Sequence, residues 1–405
     1  MNRNQIFNFS MLAALIFGGI LGGLDLPQFH GFSKGISHLF INLLKLLSLP
    51  MIFLAIVSTL SRMSSLQEAK SLLAKVLKYT LLTTLIASTI GLILFFLIQP
   101  VQESLSSGAT YSGEQGSYLS FLMNIIPENP IAPFLENNVL AVAMIATVFS
   151  IAILSLPAKQ GALLRDIFNA LFDALLKITS WVIFLMPLGV FAFTVQFTLS
   201  LKQGGQGLRS LLLYGLCVIA ANVIQGVVIL PILLKMKGLS PLKTAKGMLP
   251  ALTLAFFSKS SSAALPVSLE CAQNRLGVSE KTSRFTFPLC SIINMNGCAA
   301  FILITVFFVS FSQGMTLSIW QALPWIVLST IAAIGNAGVP MGCFFLTTAF
   351  LIGMGASIQM MGMILPLYSL FDMVETALNV WSDSCITATV DQDIKETTVT
   401  PIEAN

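Results

Sequence analysis

Apolar stretches long enough to cross a bilayer recur from one end of this sequence to the other, and nothing else constrains its fold as much. Only 9% of its 405 residues are charged and 56% are hydrophobic, with a mean hydropathy of +0.88. Soluble domains carry about 25% charged residues, so a soluble globular fold is excluded. The fold class that follows is an all-α polytopic membrane protein, since a helix satisfies its own backbone hydrogen bonds in hydrocarbon. The net charge of +4 is spread over separate loops and gives no case for a nucleic-acid partner.

Candidate spans fall near 9–25, 36–61, 76–99, 137–156, 166–200, 209–234, 282–312 and 361–390. Two Gly/Ser-interrupted apolar regions lie near 245–272 and 320–360. The segment MNRNQIFNFSMLAALIFGGILGG lacks a small-x-small cleavage site and reads as the first span rather than a signal peptide. Arg62, Lys70, Lys75 and Lys78 follow the second span, Lys159, Arg165 and Lys177 surround the next connection, and Lys235, Lys237, Lys243 and Lys246 follow the sixth. The loop over 100–136 carries Glu103, Glu114, Glu128 and Glu136 with no Lys or Arg. The positive-inside rule then places both termini and the basic loops in the cytoplasm. Region 245–272 has Lys243 and Lys246 before it and Arg275, Lys281 and Arg284 after it, so it enters and leaves on one side. Region 320–360 is uncharged on both flanks and lies on the other side. The expectation is eight transmembrane helices plus two re-entrant helical hairpins.

The hairpin tips read as SKSSSAALP (Ser258 to Pro266) and IGNAGVPMG (Ile334 to Gly342). Broken backbone at membrane depth is tolerated only inside protein or along an aqueous cavity. Paired interrupted segments of this kind point to a transporter site, because helix ends offer N–H groups to anions and C=O groups to cations. A Ser–Lys dyad enzyme is the rival reading of Ser258, Lys259 and Ser260, but no oxyanion motif follows it. INMNG, with Asn294, Asn296 and Gly297 inside an apolar span, suggests unwound backbone. Thr80, Thr83, Thr84, Ser88 and Thr89 interrupt the third span; back-bonding to the helix accounts for Ser88 and Thr89. In DMVETALNVWSD, Asp372, Glu375, Thr376, Asn379 and Asp383 share one helix face. Six cysteines without CxxC spacing read as buried free thiols rather than disulfides or a metal site, and His30 and His38 as loop or interface residues.

SKSSSAALP, NMNG, AGVP and DMVETALNVWSD, in this order, resemble the dicarboxylate/amino acid:cation symporters, the glutamate transporter homologues, over essentially the whole chain. The resemblance implies a homotrimer in the lipid bilayer, working by an elevator motion, while the compact loops point to a prokaryotic protein and so to a bacterial inner membrane. Scaffold would comprise 1–72 and 101–205, transport domain 73–100 and 206–392, and 393–405 a cytoplasmic tail. It further implies that Ser260, Ser261 and Ser262 line the amino-acid site and that Gly338 and Val339 close over it. Asp372 would hold the α-amino group and Asn379 the α-carboxylate, with Glu375 and Thr376 beside them. Asp383, with backbone oxygens of Asn294 and Asn379, would bind one sodium ion; Ala333, Ile334 and Asn336 would form a second.

Departures from the family pattern bear on the substrate. Glu375 stands where acidic-substrate members carry an arginine, so the chain is expected to reject acidic amino acids. A basic substrate facing Glu375 is preferred over a neutral one, for which Glu375 would pair with Lys259 or be protonated. Asn296 replaces an aspartate of the NMDG motif, which weakens a further sodium site near Thr83 and Thr84. Tyr368 replaces an acidic residue, and Ile302 stands where some proton-coupled relatives carry glutamate. Sodium is the expected coupling ion, with protons the alternative, and no other cofactor is expected. The rival function is an uncoupled sensor or channel on the same scaffold. Retention of Asp372, Asn379 and Asp383 argues against it, since an intramembrane carboxylate costs about 2.5–3.5 kcal/mol on insertion scales.

Overall fold

The computed structural model describes residues 3–61, 70–101, 126–136, 138–204, 206–314, 317–336 and 341–399. Its elements are helical throughout. The helices α1 (Arg3–Leu24), α2 (Pro27–Ser61) and α3 (Lys70–Ile98) come first, followed by the short α4 (Ala132–Leu135). Next are α5 (Val139–Ser155), α6 (Ala158–Phe184) and α7 (Met186–Gly204). Helix α8 (Gln206–Ile224) runs through a π turn, Gln225–Ile229, into α9 (Leu230–Met236). Then come α10 (Pro241–Ser258), α11 (Ser261–Leu276), α12 (Glu280–Ile293) and α13 (Asn296–Ser312). The chain closes with α14 (Ile319–Ala322), α15 (Pro324–Gly335), α16 (Gly342–Gly353) and α17 (Gln359–Val399). Among the described residues, five helical stretches are long and apolar enough to cross a membrane: Leu72–Ile98, Ala158–Phe184, Gly207–Met236, Glu280–Ser312 and Gln359–Glu396.

Helix α13 is the centre of the bundle. Phe301, Ile302, Leu303, Ile304, Val306 and Phe307 are all buried, on every side of the helix. A helix apolar all round buries itself among others, and α13 packs against α3, α8, α15, α16 and α17. By contrast α6 keeps only one narrow face covered and exposes Leu163, Ile167, Leu171, Ile178 and Trp181, as a helix facing lipid does. A second group, α1, α2, α5, α6 and α7, packs together, with Phe40 on α2 edge-on to Phe193 on α7 at 6.2 Å. The two groups meet where α2 touches α16 and α7 touches α17.

Helix breaks occur at defined places. The single span expected over 166–200 is instead α6 and α7, divided at Leu185, because Pro187 at the start of α7 has no N–H to continue the ladder. Between α10 and α11, Lys259 adopts a left-handed conformation (φ 54°) and Ser260 caps α11, its Oγ accepting from the Ala263 N–H at 3.2 Å. The two arms then pack antiparallel as a hairpin. Helices α12 and α13 are separated by non-helical backbone at Asn294 and Met295. At 41 residues α17 is about 60 Å long, twice a bilayer core of about 30 Å. Its polar end is tied down: Lys237 Nζ donates to Asp393 Oδ1 at 2.6 Å, Tyr79 donates to Oδ2 at 2.6 Å, and Lys395 pairs with Asp391 at 2.7 Å.

Candidate functional site

The polar face of α17 meets the break between α12 and α13. Glu375, Thr376, Asn379 and Asp383 are buried, while Asp372 is half-buried. Two neighbouring clusters result. In the deeper one, Asp383 Oδ1 accepts from Asn294 Nδ2 at 2.8 Å, and Asn294 Oδ1 accepts from Ser382 Oγ at 3.3 Å. Asn296 Nδ2 donates to Ser382 Oγ, leaving the buried Asn296 Oδ1 without a partner. Among the described residues no lysine or arginine pairs with Asp383. These are oxygen donors around a carboxylate, the chemistry that suits a hard monovalent or divalent cation.

The second cluster is a pocket. From α17 it takes Tyr368, Asp372, Glu375, Thr376 and Asn379, and from the first hairpin Lys259 and Ser261. Met295, Cys298, Asn336, Gly342 and Cys343 complete the wall. Two glycines make the close approach. A Cβ on Gly297 would lie 2.9 Å from Glu375 Cα, and one on Gly342 would lie 1.5 Å from Asn336 Oδ1. Gly297 also donates its N–H to Asn379 Oδ1 at 3.0 Å, which fixes that amide with its Nδ2 toward Met295 Sδ, 3.4 Å away.

Glu375 is 1% exposed, and neither carboxylate oxygen has a hydrogen-bond partner. Lys259, the partner of Glu375 considered for a neutral substrate, donates to Ser369 Oγ at 2.5 Å and interacts electrostatically with Asp372. Of the three expected serines only Ser261 lines the pocket: Ser260 is used as the cap and Ser262 is exposed. Thr83 and Thr84 bond back to their own helix, to Tyr79 and Thr80 carbonyls at 2.9 and 2.7 Å. Ser88 departs from the back-bonding expected of it and pairs with Ser329 on α15. Ala333 and Ile334 form the end of α15, where the Asn336 N–H bonds the Ala333 carbonyl at 3.2 Å. Gly338 and Val339 lie outside the described residues.

The free-thiol expectation fails for one pair. Cys298 on α13 and Cys343 on α16 form a disulfide, with Cα atoms 5.4 Å apart, because the two helices pack side by side at the pocket wall. Cys217, Cys271, Cys290 and Cys385 are free and buried. Sequence reading missed both cysteines as pocket residues. Cys298 directly follows NMNG, a usable signal, whereas Cys343 is 45 residues away and gave none.

A helical membrane bundle with a charged pocket walled by broken helix ends and the polar face of a long helix has the architecture of a membrane transporter. The chain belongs to the sodium:dicarboxylate symporter family, whose family model matches residues 7–393. It is therefore a multi-pass membrane transporter with the glutamate-transporter fold, and not an enzyme. It is 28% identical over 387 residues to the neutral amino acid transporter B(0) of Oryctolagus cuniculus, covering 86% of this chain and 71% of that protein. It is 27% identical over 454 residues to excitatory amino acid transporter 3 of the same organism, covering 96% and 86%. With the human neutral amino acid transporter B(0) it shares 26% identity over 385 residues, covering 86% and 71%.

Proposed function

We propose that the chain is a secondary active amino-acid transporter, coupled to sodium, whose substrate carries a basic side chain. The observation that supports this is Glu375, a fully buried pocket carboxylate with no hydrogen-bond partner on either oxygen. A buried charge demands a counter-charge, and Lys259 directs its charge to Asp372 while its ammonium donates to Ser369. A cationic side chain supplies the positive charge. An acidic one placed about 4 Å away would be repelled by about 4 kcal/mol at an effective dielectric constant near 20. The similar proteins are named for excitatory and for neutral amino acids, so kinship does not choose the substrate. A neutral substrate is the second reading, favoured by the sulfur-lined wall of Met295, Cys298 and Cys343.

Each end of the substrate has a matching group. Asp372 takes the α-ammonium, and the Asn379 amide with the N–H groups opening α11 takes the α-carboxylate. Asp383, with backbone oxygens of Asn294 and Asn379, holds one sodium ion. The end of α15 at Ala333, Ile334 and Asn336 holds the second. Asn296 and Asn336 each keep a buried side-chain oxygen free for such a role. Transport proceeds by an elevator motion, in which the elements around α13 move against α1, α2, α5, α6 and α7 in a homotrimer. The basic ends near Lys75, Lys237 and Lys395 gather around Asp391 and Asp393, which supports a cytoplasmic placement of that end. Uptake of labelled amino acids into proteoliposomes under an imposed Na⁺ or H⁺ gradient tests the reading. Gradient-driven lysine or arginine uptake is expected; uptake driven by neither gradient would overturn it.

A further inference from the structure

The pocket also brings two cysteine sulfurs beside Glu375, the carboxylate assigned above to the substrate side chain. Cys298 Sγ, Cys343 Sγ and a Glu375 carboxylate oxygen all lie within 4.8 Å of one another, and all three residues are buried. They come from three separate helices, α13, α16 and α17, so the fold rather than local sequence brings them together. Both Glu375 oxygens lack a partner, an independent sign of a cation-seeking group. The sulfurs are also supported. Asn336 Nδ2 lies 3.2 Å from Cys298 Sγ and 3.5 Å from Cys343 Sγ, and Asn379 Nδ2 lies 3.8 Å from Cys298 Sγ. Amide donors aimed at sulfur favour the thiolate, the form that ligates metal.

We infer that the dithiol form of Cys298 and Cys343, with Glu375, is a binding site for a thiophilic divalent cation of the zinc class. Two thiolates and a carboxylate suit zinc and its spectroscopic substitute cobalt, while sodium and calcium prefer oxygen-only shells. Three protein donors leave a fourth tetrahedral position for water or a substrate group. The disulfide and the metal-bound site exclude each other, because disulfide formation removes two electrons and two protons from the thiols. A bound cation would tie α16 to both α13 and α17, whereas the disulfide ties α16 to α13 alone.

The site lies in the pocket assigned above to the substrate, yet binding is read without transport, so its failure leaves the transport reading standing. The test uses the purified full-length protein, phosphine-reduced under anaerobic conditions and titrated with Co²⁺ alone. Expected is one Co²⁺ per chain with a thiolate-to-cobalt charge-transfer band, displaced by Zn²⁺. The band should vanish after oxidation with diamide, which takes up the two electrons and two protons. It should also vanish in Cys298→Ser and Cys343→Ser, and Glu375→Gln should weaken binding on the order of tenfold or more. No band in reduced, monodisperse protein would overturn the inference. A band persisting in the Cys298→Ser/Cys343→Ser double variant would do the same, since it would belong to the other cysteines. Unchanged affinity in Glu375→Gln would remove the carboxylate from the site and overturn it as stated.

Discussion

Replacing Gly297 by alanine perturbs the pocket at its tightest joint. The added Cβ would sit 2.9 Å from Asn222 Oδ1, 2.9 Å from Glu375 Cα and 3.0 Å from Glu375 Cβ. Favourable carbon–carbon contact lies at about 3.5–4.0 Å, so α17 must retreat by about 0.6 Å. The Asn222 side chain can swing away, but the Glu375 backbone cannot. Overpacking of this kind costs about 1–3 kcal/mol. Alanine returns up to about 1 kcal/mol through its better helix propensity. Global stability therefore falls only modestly. Binding has no such offset. The Gly297 N–H to Asn379 Oδ1 bond, 3.0 Å long, would stretch beyond useful geometry, and Glu375 and Asn379 would shift together. Amino-acid affinity should drop by about 10- to 100-fold, corresponding to about 1.4–2.8 kcal/mol. Calorimetric titration of the purified protein, beside its thermal unfolding, measures both quantities. Wild-type affinity in Gly297→Ala would refute the close approach of α13 and α17 at this point.

Other perturbations separate the functions of neighbouring groups. Glu375→Gln should weaken binding of a basic amino acid by about 2–4 kcal/mol, the cost of truncating one side of a buried charge pair, and leave alanine binding nearly unchanged; competition binding distinguishes the two. Asp383→Asn should shift the sodium dependence of uptake to higher concentration while sparing substrate affinity at saturating sodium, as Na⁺ titrations at two substrate levels would reveal. Asp393→Asn removes the charge that meets Lys237 and Tyr79, and should lower stability by about 1.5–3 kcal/mol, seen as a lower unfolding midpoint with substrate affinity unchanged.

The apolar blocks and their polar interruptions were readable because each has a local cause. SKSSS marks a hairpin turn since Lys259 takes the left-handed conformation and Ser260 caps the next helix. NMNG marks a true break between α12 and α13. The face shared by Asp372, Glu375, Thr376, Asn379 and Asp383 followed from helical spacing alone. Hydropathy did not separate α6 from α7, because SWVIFLMPLGVF is apolar throughout and only Pro187 interrupts it. Proline was an ambiguous signal, since Pro50 and Pro366 sit inside α2 and α17 without ending them. The pairing of Cys298 with Cys343 depends on how α13 packs on α16, and no sequence spacing encodes that contact. The partner of Lys259 was equally hidden: the hairpin tip presents it to Ser369, three residues before Asp372 and so about one helical turn away along α17.

Which amino acid the pocket accepts is decided by uptake into liposomes. Purified protein in liposomes, under an imposed inward sodium gradient, is offered labelled lysine, arginine, serine, alanine and aspartate, and Glu375→Arg is run beside it. The unaltered protein should take up lysine or arginine and exclude aspartate, and Glu375→Arg should lose the basic substrates. Preferential aspartate uptake by the unaltered protein would contradict the role assigned to Glu375.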